Sequence, residues 1–355
     1  MAESMVEDKP LSILQKRWRK FRTLKRGWYS FLFLTGALLL SFLNPLMINN
    51  RALIVRYDGV YHFPVLSGHI EAKELGQHVI GEARYRELKS QYREEGAGNW
   101  VLMPPYPYHP NENLLLEEDL PGPPPHSPTS NHWMGTDDRG RDVFARLIYG
   151  FRISMLFGLG VLIGAYSVGI IAGAILGYFG GWVDILGQRF VEIWSGLPFL
   201  YTVIIISSLI RPEPWVLVLI LCSFTWMRIS FYVRGEFYRE KAKDYVAAAV
   251  SQGESNPSIM FRHILPNGLT PIISFAPFGL VGYISSLVSL DFLGFGVQPP
   301  TASWGELVKQ GLANINEWHL VLFPLGAMFC TLMMVVFIGE AVREAFDPKT
   351  FSRLR

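Results

Sequence analysis

Cysteine is almost absent from this chain: Cys222 and Cys330 are its two thiols, both inside apolar runs, so neither a disulfide framework nor a zinc site is suggested. Charge is scarce too. Only 17% of the residues are Asp, Glu, Lys or Arg while half are apolar, an unusual balance for a soluble protein of 355 residues and one that points to a bilayer. The formal charge is +2, which gives no general attraction to nucleic acid. Also missing are a nucleophile elbow, a phosphate-cradling Gly-rich loop with its Lys, metal-ligand spacing and a pair of catalytic carboxylates. An enzyme reading therefore has no residues to rest on, and no cofactor or metal is called for in this chain. If nucleotide energises the protein's work, it sits on another chain.

What is present is long apolar sequence. Six stretches, 28–47, 153–179, 190–210, 215–233, 268–290 and 320–340, are close to the roughly 20 residues that carry a helix across a bilayer, once Gly, Pro and an occasional acid are tolerated. The expectation is an all-α polytopic membrane protein with six transmembrane helices. Before the first run stand Lys9, Lys16, Arg17, Arg19, Lys20, Arg22, Lys25 and Arg26 against Glu3, Glu7 and Asp8, a bias that keeps a segment cytoplasmic. Six crossings that start inside end inside. The flanks agree: Arg234, Arg239, Lys241, Lys243 and Arg262 lie between spans four and five, and Arg343, Lys349, Arg353 and Arg355 follow span six. The first run follows basic residues as a secretory signal does, but it is long and lacks a small-x-small cleavage pattern, so it is read as an uncleaved anchor.

The resulting division is a basic cytoplasmic N-terminus (1–27), helix 1 (28–47), an extracytoplasmic insertion (48–150), a core with helices 2–6 (151–343) that contains a cytoplasmic loop (234–267), and a cytoplasmic tail (344–355). An insertion of about a hundred residues is long for a connection. Alternation across residues 51–64 around Asp58-Gly59 predicts a β-hairpin. The proline-rich runs 103–110 and 121–125 predict a stiff, extended spacer. In the second span Gly158, Gly160, Gly164, Gly169, Gly173 and Gly177 recur at short intervals, a pattern that lets helix backbones approach closely in lipid.

The strongest local signal is residues 244–267. Asp244 can cap or open an Ala-rich helix, favoured at the positive end of the helix dipole, and Gly253 can supply a left-handed stop. Asn256-Pro257 then reads as an N-cap with proline at the first helical position, and residues 258–263 complete under two turns before Pro266. Ile259, Met260 and Ile264 are expected to present apolar surface on this short element. So short a helix needs support from something else.

This loop resembles the coupling motif of membrane subunits of binding-protein-dependent ABC importers, Glu-Ala-Ala, three residues, Gly, nine residues, Ile-x-Leu-Pro. Ala248, Ala249, Gly253, Leu265 and Pro266 occupy matching places; the Glu position is Ala247 and the Ile position is His263, the latter as in the peptide and nickel branch. Residues 133–143, 177–184, 290–296 and 346–348 are similar to the same branch, and Val55-Arg-Tyr-Asp-Gly59 resembles the subgroup importing oligopeptides and the peptide-nucleotide antibiotic microcin C. The resemblance implies a type I ABC importer permease fold in a bacterial inner membrane with both termini cytoplasmic. It also implies a second homologous permease subunit, two ATP-binding subunits (or one fused) that hold ATP and Mg, a periplasmic solute-binding protein and a peptide substrate. The coupling residues would be Asp244, Ala248, Ala249, Gly253, Pro257, Ile259, Met260, His263, Leu265 and Pro266. With Ala247 in the Glu place, transmission would fall to the apolar face and backbone of 257–266. Import rather than export follows from the resemblance alone.

Other residues carry alternatives. Asp137, Asp138, Arg139, Arg141 and Asp142 crowd around Gly140 and superficially suggest a calcium loop, but the downstream glutamate of an EF-hand is missing. They read as mutually paired turn charges or as a docking patch for the solute-binding protein. Charges within apolar spans cost on the order of 2.5 to 3.5 kcal/mol at mid-membrane. Glu340, near Arg343, reads as an interfacial cap; Glu192 lines a pathway or pairs with Arg189; Asp291 meets a peptide's amino group, closes an outer gate, or caps. An ion channel or ion-coupled secondary transporter is the alternative function, but the sequence has no inverted repeat or paired broken helix to support it.

Overall fold

The computed structural model describes residues 13–115, 120, 122–210 and 213–347. Lys9, Pro121, Lys349, Arg353, Arg355 and most of the expected 344–355 tail lie outside these residues. In chain order come α1 (Ile13–Thr23), α2 (Lys25–Ser41), α3 (Asn44–Met47), β1 (Ile54–Tyr57), β2 (Val60–His62), α4 (Pro64–Ser67), α5 (Tyr85–Glu95) and β3 (Trp100–Leu102). Then follow α6 (Val143–Phe179), α7 (Gly181–Ser195), α8 (Phe199–Leu209), α9 (Pro214–Lys241), α10 (Asp244–Ser251), α11 (Asn256–Ser258), α12 (Leu265–Leu293), α13 (Trp304–Ala313) and α14 (His319–Phe346).

The bundle is organised by the pair α6 and α9. Asp142 starts α6 by accepting a 2.8 Å hydrogen bond from the Ala145 N–H. Gly169, Gly173 and Gly177 then recur every fourth residue toward its other end, where α9 packs. A methyl on them would stand 2.7 Å from Ile229 Cβ, 2.5 Å from the Ser230 carbonyl oxygen and 2.6 Å from Phe237 Cβ, so side chains larger than hydrogen would push the helices apart. The close packing expected of these glycines is thus present. Helix α12 lies against α6 and α9, while α14 packs on α12 and α2.

Among the described residues four helical stretches are long and apolar enough to cross a membrane: Val143–Phe179, Pro214–Lys241, Ile272–Leu293 and His319–Phe346. The stretch expected as one span at 190–210 is instead α7 and α8, bent by 67°. Pro198 explains the break, because a proline cannot donate an N–H and disfavours helix in the residue before it. The run at 28–47 is likewise not one helix, since α2 stops at Ser41 and the chain re-enters helix only at α3. Cys330, although inside an apolar run, lies on the exposed face of α14.

The insertion builds a core of its own. Its antiparallel sheet has the order β2-β1-β3, and the expected hairpin is in register with Tyr57 opposite Val60. Asp58 (φ 47°) and Gly59 (φ 81°) both take the left-handed conformation that matches a two-residue turn to strand twist. Val55 and Val101 pack with Leu75, Leu88 and Tyr92 beneath it. The proline-rich second half is not the free spacer expected: Tyr106, Tyr108, Leu114 and Leu120 are buried with Ala145 and Tyr149 of α6. The prolines stiffen the backbone while the tyrosines between them supply the apolar area that holds it down.

Candidate functional site

Residues 244–267 form a corner at the C-terminal ends of α6 and α9. Asp244 sits in the first turn of α10, and Gly253, with φ 77°, turns the chain out of it. Ser255, with extended dihedrals, is the N-cap of α11, so Asn256 and Pro257 stand one place later than expected. The shift leaves the Asn256 side-chain oxygen to accept a 2.8 Å hydrogen bond from the Tyr178 hydroxyl, and proline is tolerated anywhere in a first turn. The element does not end before Pro266. Ile259–Ile264 widens into a π-helix, in which the Leu265 N–H reaches the Met260 carbonyl, and runs straight into α12. The wider turn accommodates Pro266, whose missing N–H falls in the first turn of α12.

The face expected to be exposed is buried. Ile259 is 1%, Met260 3% and Ile264 0% exposed, packed with Tyr178, Val233, Phe237, Val246 and Ala249. Burial of such side chains contributes roughly 1.5 to 3 kcal/mol each, which supplies the support that so short a helix needs. Ile259 and Met260 therefore hold the corner to its own bundle and offer no surface to another protein. The outer surface includes Asp244, Ala247, Ala248, Val250, Gly253, Pro257, Phe261, Arg262 and Pro266, with Val250 56% and Phe261 42% exposed. Ala249 is buried, and His263 and Leu265 are half-buried.

Sequence reasoning missed Val250, Phe261 and Glu254. The Glu254 carboxylate accepts from Ser258 Oγ at 2.6 Å and lies 3.0 Å from His263 Nε2, closing the corner across its own turn. The Ser258 and His263 hydrogen bonds hold the Glu254 carboxyl below its usual range. Ala247 leaves the corner without a carboxylate at the motif position; Glu254 is the one the turn engages. The corner is also anchored from behind, where Arg234 and the Tyr238 hydroxyl both donate to Asp184 on α7, the latter at 2.7 Å.

At the opposite end of the bundle, the cluster around Gly140 divides in two. Asp137, Arg141 and Asp142 are buried, which removes them from the expected docking patch; Asp138 and Arg139 remain exposed. Arg141 Nε donates to Asp137 at 2.8 Å, and Arg146, fully buried, lies 2.6 Å from Glu306 and 3.5 Å from Asp137. Asp142 accepts from the Tyr106 hydroxyl at 2.6 Å and lies 2.9 Å from His132 Nδ1. Burial and the Asp142 carboxylate push the Tyr106 phenol well above its usual range, so it stays the donor. Arg146, Glu306 and His132, not singled out in the sequence, complete this network.

Asp291 is buried at the end of α12, where its two oxygens accept from the Val297 N–H at 2.7 Å and Ser303 Oγ at 2.5 Å. That arrangement caps the turn and leaves no open face for a solute's amino group. Glu192 pairs with Arg189 at 2.5 Å on an exposed face of α7.

Four long apolar helices and a bent apolar pair, with a helical corner at one end of the bundle, define the class: a polytopic membrane protein. Residues 169–352 match the family of binding-protein-dependent transport system inner membrane components. An inner membrane ABC transporter permease, YejE of Escherichia coli K12, is 41% identical over 94% of this chain and 96% of its own length. A peptidoglycan transport system permease YejE of Agrobacterium fabrum is 39% identical over 95% of this chain and 93% of its own. The oligopeptide transport system permease OppC of Haemophilus influenzae is 37% identical over 61% and 70%. The chain belongs to this family and is a permease component of an ABC transporter.

Proposed function

We propose that this permease imports peptides, oligopeptides foremost and microcin C-like conjugates as the narrower possibility, and that its 244–266 corner receives a separate ATPase. The carrying observation is the corner itself. Val250, Pro257 and Phe261 project from a turn that Ile259, Met260 and Ile264 lock to the bundle, so a push on the outer face passes directly into α12. The names of the peptide permeases among its relatives support the substrate class.

In this reading α2 with its α3 extension, α6, the bent pair α7 and α8, α9, α12 and α14 make six crossings, with both termini and the corner in the cytoplasm. A second homologous permease completes the path, two ATP-binding subunits lie below, and a solute-binding protein docks above on a surface that includes Asp138 and Arg139. ATP binding closes the ATPases; the corner follows and the two halves switch from inward-open to outward-open. Each ligand moves that equilibrium only by its differential affinity for the two states.

Gly253→Asp tests the corner. No neighbouring atom lies within 4 Å of a Cβ there, so the substitution leaves packing intact while straining the left-handed turn and placing a charge on the docking face. The expected result is normal membrane insertion with loss of binding-protein-stimulated ATP hydrolysis. Normal stimulated turnover refutes the assignment.

A further inference from the structure

Arg228 is a cation inside an apolar span that none of the contacts described above uses. It stands 14 residues after Pro214, where α9 begins, and 6 before Arg234, where the polar end of the helix begins. Side chains on a helix lean toward its N-terminus, so Arg228 leans away from that polar end and cannot readily snorkel to it. It is exposed, and among the described residues no carboxylate forms an ion pair with it. A lipid-facing cation there is expensive; cations at such depth face water-filled paths or partners.

Its surroundings on the seam of α9 and α12 favour a path. Helix α12 packs along α9 here. One turn on, the Tyr232 and Phe275 rings stack at 4.8 Å. Along α12 the exposed face then carries Gly282, with open space where a side chain would be, and the hydroxyls of Ser286 and Ser289. This is a face of small and hydroxyl-bearing residues beside a guanidinium that has no ion pair among the described residues.

We infer that Arg228 binds a carboxylate of the transported peptide, either its C-terminal group or an acidic side chain, as the peptide moves along the α9–α12 seam. The inference rests on the peptide reading above. A guanidinium is suited to it because its planar donors match the two oxygens of a carboxylate.

The test uses the complete transporter, with its partner permease, ATPases and binding protein, in proteoliposomes. Uptake is measured for tri-alanine, tri-alanine amide, and the amide with a central Glu, each as the ratio of variant to wild type, so that selectivity of the binding protein cancels. Arg228→Gln is expected to lower uptake of the free acid, the Glu-containing amide, or both by about tenfold or more while leaving tri-alanine amide unchanged. Which of the two falls identifies the carboxylate. Arg228→Lys is expected to recover part of the lost uptake. Equal effects on all three peptides, or loss of the second permease subunit from the purified complex, overturn the inference. A wild-type complex that carries none of the three overturns the peptide reading, and this inference with it.

Discussion

The two ends of the bundle are held together by different chemistry. At the end beside the insertion, charges are buried and pair across distant parts of the chain: Arg146 of α6 with Glu306 of α13, and Asp142 with Tyr106 of the insertion. At the corner end, the core itself is apolar, and the polar ties lie around it, from the local Glu254–His263 contact to Arg234 on Asp184 and Tyr178 on Asn256. Buried ion pairs fix a geometry firmly because breaking one strands a charge in a low dielectric, whereas an apolar core can be carried as a unit while its outer face meets another protein. The insertion end is thus built as a fixed frame, and in the proposed function the corner acts as a lever.

Removing one charge from the frame is expected to have the largest effect. Arg146→Ala removes the fully buried one of the two cations, with Arg141, that face Glu306 and Asp137, and is expected to cost about 3 to 5 kcal/mol, read as a large fall in thermal midpoint of the detergent-solubilised protein. A midpoint unchanged by that substitution would erase the contrast between the ends. The corner is tested by a pair. Ile259→Ala is expected to cost about 2 to 5 kcal/mol of folding stability. Phe261→Ala is expected to leave stability alone and weaken ATPase association by about 1 to 3 kcal/mol, read by titrating purified ATPase subunits. Reversed outcomes would exchange the roles of the buried and exposed faces.

The smallest effect is expected in the insertion. Burial and Glu82 push the Tyr85 phenol up to about 12. Because this folded value lies above the ordinary value near 10, its contribution is present below about pH 10 and is lost as pH rises through 12. Tyr85→Phe is expected to flatten the alkaline loss of insertion stability followed by Trp fluorescence. At neutral pH it should change stability by less than about 1 kcal/mol, since the Tyr85 hydroxyl has no hydrogen-bond partner among the described residues.

Features set by neighbours in the chain were legible in the sequence. Asp58-Gly59 specifies its hairpin because both positions need left-handed dihedrals, and Gly253 ends α10 for the same reason. The four-residue glycine spacing of α6 foretold a close helix partner but could not say that it is α9. Ile259, Met260 and Ile264 were recognisable as one apolar stripe, yet a stripe has no mark that says whether it faces inward or outward. Arg146 looked like any Arg near a helix start; its partner Glu306 is 160 residues away, and such a pairing leaves no local signal.

By itself, then, the sequence determined four of the apolar spans, the turns at Asp58-Gly59 and Gly253 and the family motif, because each depends on residue type at short spacing. Only the tertiary structure decided which face of the corner is offered outward, that Pro198 bends a span, that the Gly140 charges are largely interior, and that Arg228 stands without a counter-charge among the described residues. Those outcomes depend on which distant segments meet, and burial and ion pairing act through space rather than along the chain.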